Sequence, residues 1–98
     1  MNAIKTLETA LDIIGGDRQR THGPDREDFR KIAALWETYL SVRRNPGGAL
    51  VAEDAANMME LLKLARSQCG EHNSDDYVDR CGYAAIAGEL AGKGGRNE

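Results

Sequence analysis

The sequence predicts an all-α fold in which four helices form one small domain. Apolar residues recur at helical spacing in four separate stretches, and no stretch alternates polar and apolar residues as a half-buried strand would. Glycine, proline or polar clusters separate these stretches. The chain has 98 residues, the size of one domain, so we expect a helical domain over residues 1–91 and a flexible tail over residues 92–98.

The first predicted helix covers residues 2–14 and ends at a pair of glycines, which adopt the left-handed conformation after a helix at little cost. Its apolar residues share one face: Ile4, Leu7, Leu11 and Ile14. The second helix begins at Pro24, a residue well suited to the first helical position, and ends near Val42. Its predicted apolar face comprises Phe29, Ile32, Ala33, Trp36, Tyr39 and Leu40. We expect Trp36 to pack in the core rather than to stack on a nucleotide base.

The third and fourth helices are predicted to form an antiparallel hairpin, because only a short turn connects them. The third runs from about residue 52 to residue 68, with acidic residues first and basic residues last, as the helix dipole favours. The fourth begins at Asn73 or Ser74 and is rich in small residues: Gly82, Ala84, Ala85, Ala87 and Gly88. Since each glycine costs about 1 kcal/mol of helix propensity, we expect its backbone to approach another helix closely, in this chain or in a partner.

Composition excludes several classes of function. The net charge of −3 and the isoelectric point near 5.4 provide no field that would hold duplex nucleic acid. No apolar run reaches the length of a membrane span, and the start of the chain lacks the apolar core of a signal peptide. We therefore expect a cytoplasmic protein with reduced cysteines. Five aromatic residues make a thin core, which predicts a homo-oligomer.

The segment of residues 15–24 contains a basic motif before a predicted helix N-terminus, where free N–H groups favour anions. Alternating basic side chains project to one side of an extended backbone, and arginine grips phosphate with two parallel hydrogen bonds. The ligand-binding candidates here are Arg18, Gln19, Arg20 and His22. The alternative is a solvated connector whose arginines pair with neighbouring acids such as Asp25 and Glu27.

Charged residues on the predicted hairpin provide a second set of candidates. Asp79 shares a helix face with apolar residues, and the antiparallel register places it opposite Lys63 and Arg66. One interpretation is a structural ion pair between Asp79 and one of these bases. The other is a ligand pocket whose wall contains Lys63, Arg66, Asp79 and Tyr83, with Asp79 orienting a base that binds phosphate.

Two metal sites are also conceivable from the sequence. Glu60, Asp76 and Asp79 would converge on magnesium if the hairpin brought them together. Asp54 lies about 18 Å along the same helix from Arg66, too far to join them within one chain. Cys69, His72 and Cys81 would need His22 as a fourth zinc ligand, so we interpret both cysteines as ordinary thiols.

The motifs together resemble a family of small phage and prophage proteins of unassigned function, over roughly residues 5–90. The residues that carry the resemblance are Gly16-Asp17-Arg18-Gln19 with Gly23 and Pro24, Phe29 with Ile32-Ala33-Ala34-Leu35-Trp36, Glu53-Asp54-Ala55-Ala56, Met58-Met59-Glu60-Leu61-Leu62-Lys63-Leu64-Ala65-Arg66, and Asp76, Asp79 and Gly82-Tyr83-Ala84. His22 stands where the family pattern has tyrosine. The resemblance implies a phage origin and carries no catalytic residues.

A fainter resemblance is to the all-helical nucleotide pyrophosphohydrolases of MazG type. Asp76-Tyr77-Val78-Asp79 looks like their carboxylate-x-x-Asp motif. Those enzymes carry Glu-x-x-Glu on the preceding helix, where this chain has Asn57 and Glu60. The resemblance therefore implies nucleotide chemistry with an incomplete magnesium set.

Three functions remain open at this point. The leading hypothesis is a homo-oligomer that binds a nucleotide without hydrolysing it and with no cofactor, in the cytoplasm of an infected bacterium. Its ligand would include cyclic nucleotide signals of bacterial immunity, so that the protein acts as an anti-defence sponge. The enzyme alternative is a magnesium-dependent pyrophosphohydrolase that uses Glu60, Asp76 and Asp79. The third is an inhibitor that binds a host protein.

Overall fold

The computed structural model describes residues 2–15 and 25–93, and within that part of the chain the fold is all-α. The helices are α1 (Ala3–Gly15), α2 (Asp25–Val42), α3 (Ala52–Ser67) and α4 (Ser74–Lys93). The predicted fold class and helix order are confirmed, and the predicted helix ends agree to within two residues. Residues 94–98 of the predicted tail lie outside the described residues.

Helix α3 is the centre of the packing, since α2 and α4 both pack against it. The hairpin of α3 and α4 turns at Gly70, whose φ of 64° lies in the left-handed region that glycine adopts most easily. The buried apolar residues are few and mostly small: Ile32, Ala56, Ala65, Cys69 and Ala87. This core is as thin as the composition predicted.

Helix α2 packs with a face that differs from the predicted one. Ile32 is buried, whereas Phe29 is 58% exposed and Ala33 is also exposed. The inward face runs from Asp28 through Ile32 to Arg43, so charged residues occupy both of its ends. The prediction placed Phe29 and Ala33 in the core because it counted apolar residues alone. Trp36 does pack on α3, where its Nε1 donates a 2.7 Å hydrogen bond to the carbonyl oxygen of Met58.

Helix α4 is open along its small residues within the chain. A Cβ atom added at Gly82 or Gly88 would meet no described atom within 4 Å. The expected close approach to another helix of the same chain is therefore wrong at these two glycines. Close approach to a partner stays a prediction. None of the described helices is long and apolar enough to cross a membrane.

Candidate functional site

The basic motif between α1 and α2 contains four of the predicted ligand-binding residues. Arg18, Gln19, Arg20 and His22 lie outside the described residues. Their predicted role in binding phosphate stays a prediction, and so does the alternative in which they pair with neighbouring acids. The candidate residues of the hairpin all lie on α3 and α4 and are described below.

Lys63 and Asp79 meet across the hairpin, as the antiparallel register predicted. The Lys63 Nζ atom lies 2.7 Å from Asp79 Oδ2, and the two side chains are 19% and 41% exposed. A lysine ammonium has three donors, so Lys63 keeps donors beyond the one that Asp79 accepts. The pair therefore provides a positioned ammonium at the edge of the hairpin, which is compatible with either interpretation of Asp79.

Arg66 lies one turn after Lys63 on the same side of α3. The arginine is half-buried, and its Nε atom is buried without a hydrogen-bond acceptor in the described part of the chain. No described carboxylate lies within ion-pair distance of it, so Arg66 differs from Lys63 in having no described counter-charge. Tyr83 is half-buried on α4, and no side-chain hydrogen bond joins it to a described residue.

A cleft of about 310 Å³ that was not predicted from the sequence lies between α3 and α4. Its lining residues are Glu60, Tyr77, Arg80, Cys81 and Ala84. The Arg80 guanidinium carbon lies 5.9 Å from the Tyr77 ring centroid, a distance at which cation–π attraction operates. The His72 ring centroid also lies 5.9 Å from the Tyr77 ring centroid. The three-residue spacing of Tyr77 and Arg80 on one helix was the available signal.

The magnesium candidates lie in three different environments. Glu60 lines the cleft, Asp79 pairs with Lys63, and Asp76 is only 2% exposed. The Oδ2 atom of Asp76 has no donor within the described residues. In residues 2–15 and 25–93, no three His, Cys, Asp or Glu side chains are placed to hold a metal ion. The convergence of Glu60, Asp76 and Asp79 that the alternative required is therefore not found.

The described zinc candidates, Cys69, His72 and Cys81, are likewise not placed together to hold a metal ion. Cys69 is buried, and burial, with a hydrogen bond to Asp28, raises the pKa of its thiol. Cys81 is exposed in the cleft, and His72 contacts Tyr77. Neither cysteine forms a disulfide, and His22 lies outside the described residues, so the interpretation of both as ordinary thiols stays a prediction.

The most extensive hydrogen-bond network among the described residues lies at the connection between α2 and α3, and no pattern in the sequence predicted it. Arg43 Nη1 and Asp54 Oδ2 are 2.8 Å apart, with side chains only 8% and 7% exposed. Tyr39 donates to Asp54 at 2.7 Å, and the backbone N–H of Val51 donates to it at 2.9 Å. Asn57 in turn donates to the Tyr39 hydroxyl at 3.0 Å.

This network holds the loop before α3 in place. Arg43 also donates to backbone carbonyls of that loop, at Pro46, Gly48 and Ala49. The hydrogen bonds from Tyr39 and Val51, with the charge of Arg43, keep the pKa of Asp54 below its ordinary value despite its burial. Although a hollow of about 340 Å³ adjoins the network, the Arg43 charge is neutralised by Asp54. We therefore assign the network a structural role.

Comparison with known proteins connects the chain to phages. The family model described as "Domain of unknown function (DUF6378)" matches residues 5–91. The Gene 55 protein of Mycobacterium phage L5 is 39% identical over 80 residues, which are 82% of this chain and 48% of that protein. The Gene 55 protein of Mycobacterium phage D29 is 36% identical over 78 residues, 80% of this chain and 48% of that protein.

The chain thus spans about half the length of these two relatives. No solved structure matches it. The predicted resemblance to a family of phage proteins is confirmed, whereas the resemblance to pyrophosphohydrolases stays a prediction. The match covers nearly the whole chain, and the chain belongs to the family described as "Domain of unknown function (DUF6378)".

Proposed function

We propose that this phage-related protein binds a nucleotide without hydrolysing it and so sequesters it during infection. The ligand class we favour is a cyclic nucleotide signal of bacterial immunity. One observation carries the proposal: Arg66 is half-buried at the hairpin with no described carboxylate beside it, one turn from the positioned ammonium of Lys63. A partly desolvated guanidinium without a counter-charge favours an anionic ligand, and its fork fits phosphate.

The proposed division of roles follows from these positions. Arg66 and Lys63 bind phosphate oxygens from α3, while Asp79 holds the Lys63 ammonium in place through its 2.7 Å contact. Tyr83 contributes to the wall on the α4 side. The basic motif supplies the remaining phosphate contacts, through Arg18, Gln19, Arg20 and His22.

The positions of the described carboxylates favour nucleotide binding over nucleotide hydrolysis. A magnesium-dependent pyrophosphohydrolase needs several carboxylates that converge on the metal bound to the phosphates. Glu60, Asp76 and Asp79 are separated instead into a cleft, a buried position and an ion pair. The hydrolase therefore remains the competing function that an experiment must address, and any product formed from a nucleotide would identify it.

The test is titration calorimetry with linear and cyclic nucleotides in the presence of magnesium. Arg66→Gln removes the charge while keeping a side chain of similar length, and we expect affinity to fall at least about tenfold, since a hydrogen bond to a charged group contributes about 1.5–3 kcal/mol. The double variant Arg18→Ala with Arg20→Ala should abolish binding. The matched control is Arg44→Gln, because Arg44 is an exposed arginine that pairs with Glu53.

The control variant should bind like the unmodified protein, and all variants should keep the same helicity by circular dichroism. If no nucleotide binds to the unmodified protein, the proposed function is wrong. If Arg66→Gln binds as tightly as the unmodified protein, the hairpin is not the site. If the double variant binds normally, the basic motif has no part in it.

A further inference from the structure

Helix α1 has an apolar face that nothing in the described part of the chain covers. Ile4, Leu7 and Leu11 share this face and are 68%, 65% and 70% exposed. These residues leave on the order of 300 Å² of contiguous apolar surface exposed, comparable to the largest patch on a typical monomer, which is often functional. An isolated helix of 13 residues is also only marginally stable in water. Both facts indicate that α1 requires a packing partner.

A groove of matching chemistry lies between α2 and α3. It has a volume of about 340 Å³, and its lining residues are Lys31, Ala34, Leu35, Leu64, Ala65 and Gln68. Two alanines stand where larger side chains would fill the space. Because deleting one leucine side chain from a core leaves a cavity of about 150 Å³, the groove has room for about two side chains of the size of those on α1.

The charges beside the two surfaces are complementary. Glu8 and Asp12 are four residues apart, so they lie on one side of α1 next to its apolar face. Lys31 stands at the edge of the groove, and its nearest described carboxylate partner is Glu27 at 3.9 Å, in a contact open to solvent. The ammonium of Lys31 is therefore available to the acidic edge of an incoming α1.

We infer that α1 of one protomer docks in the groove between α2 and α3 of a second copy of this chain, and that the exchange is reciprocal. In the described structure α1 does not occupy the groove of its own chain, since its apolar face remains exposed. Two such contacts, counted over both α1 faces and both grooves, bury on the order of 1,200 Å², which is the lower end of the range for specific interfaces. A reciprocal exchange also gives the two-fold symmetry common among small homo-oligomers.

The first experiment measures the oligomeric state of the full chain by sedimentation velocity across a concentration series. The unmodified protein should be a dimer. Leu7→Asp places a charge on the apolar face of α1 and should raise the dimer dissociation constant at least tenfold. Thr9→Asp is the matched control, because Thr9 lies on the exposed polar side of α1 and should leave the dimer intact.

The second experiment identifies the docked surfaces by disulfide formation. In a Cys81→Ser background, one protein carries Leu7→Cys and a second carries Ala34→Cys; both native positions are exposed. Mixing the two under oxidising conditions should produce a cross-linked heterodimer. A monomer at all concentrations would overturn the inference, and so would a Leu7→Asp protein that remains a dimer. A third protein carries both Leu7→Cys and Ala34→Cys. If its disulfide forms only within one chain, α1 folds back on the groove of its own chain, which also contradicts the inference.

Discussion

Replacing Asp54 by asparagine perturbs the connection between α2 and α3 at its most buried charge. The carboxylate accepts hydrogen bonds from Tyr39, Arg43 and the backbone of Val51, at 2.7, 2.8 and 2.9 Å. Asparagine keeps one acceptor oxygen, but its amide group donates and would face another donor. The substitution also leaves the guanidinium of Arg43, 8% exposed, without its counter-charge.

The expected cost follows from that uncompensated charge. Removing one partner of a buried ion pair costs about 3–5 kcal/mol, and we expect the lower end because Arg43 keeps its contacts with loop carbonyls. A loss of about 3 kcal/mol lowers the melting temperature of a domain of this size by about 12–24 °C. It is also a large part of the roughly 5–15 kcal/mol that stabilises a small domain.

The assay is urea unfolding followed by the fluorescence of Trp36, the single tryptophan, which is held against α3. The control is Glu53→Gln at the neighbouring position, where the ion pair with Arg44 is largely open to solvent and a loss of at most about 1 kcal/mol is expected. Equal free energies of unfolding for the Asp54→Asn and Glu53→Gln proteins would refute the structural role of the network.

Two further predictions follow from the same structure. The folded state lowers the pKa of Asp54. The ionised carboxylate therefore stabilises the fold above its unfolded-state pKa of about 4, and this contribution is lost as the pH falls through the lower folded-state pKa. In acid unfolding monitored by circular dichroism, the stability of Asp54→Asn should depend less steeply on pH, and an unchanged dependence would contradict this. Gly82→Ala and Gly88→Ala should each raise the free energy of unfolding by about 0.5–1 kcal/mol, since a Cβ atom meets no described neighbour there. A loss of stability in urea would instead indicate that this face of α4 contacts a partner.

The helices were predictable because helical periodicity and end signals are local properties of the sequence. The short turn before Asn73 or Ser74 predicted an antiparallel hairpin, and that register placed Asp79 opposite Lys63. The face of α2 was less predictable. Phe29 is exposed, whereas the charged side chain of Arg43 is buried. Arg43 can be buried because Asp54 on α3 neutralises its charge, and only the tertiary structure brings these two residues together.

The candidate site residues also differ in whether their contacts follow from the order of the helices or only from the tertiary packing. Lys63 and Asp79 lie on adjacent antiparallel helices, so their contact could be worked out from the hairpin alone. The cleft that contains Tyr77 and Arg80 depends on how closely α4 lies against Glu60 of α3, and no spacing in the sequence reports that distance. Asp54 lies four residues before Met58 and eight before Leu62, on one face of α3, yet the donors that allow its burial come from α2 and the loop.

The most direct measurement of the central proposal follows the fate of the nucleotide itself. Purified protein is incubated with linear and cyclic nucleotides in the presence of magnesium, the free nucleotide is quantified by chromatography, and the protein is then digested and the mixture analysed again. Sequestration predicts that one nucleotide disappears from the free pool and returns chemically intact after digestion. New products would instead identify a hydrolase, and a free pool that never changes would contradict nucleotide binding altogether.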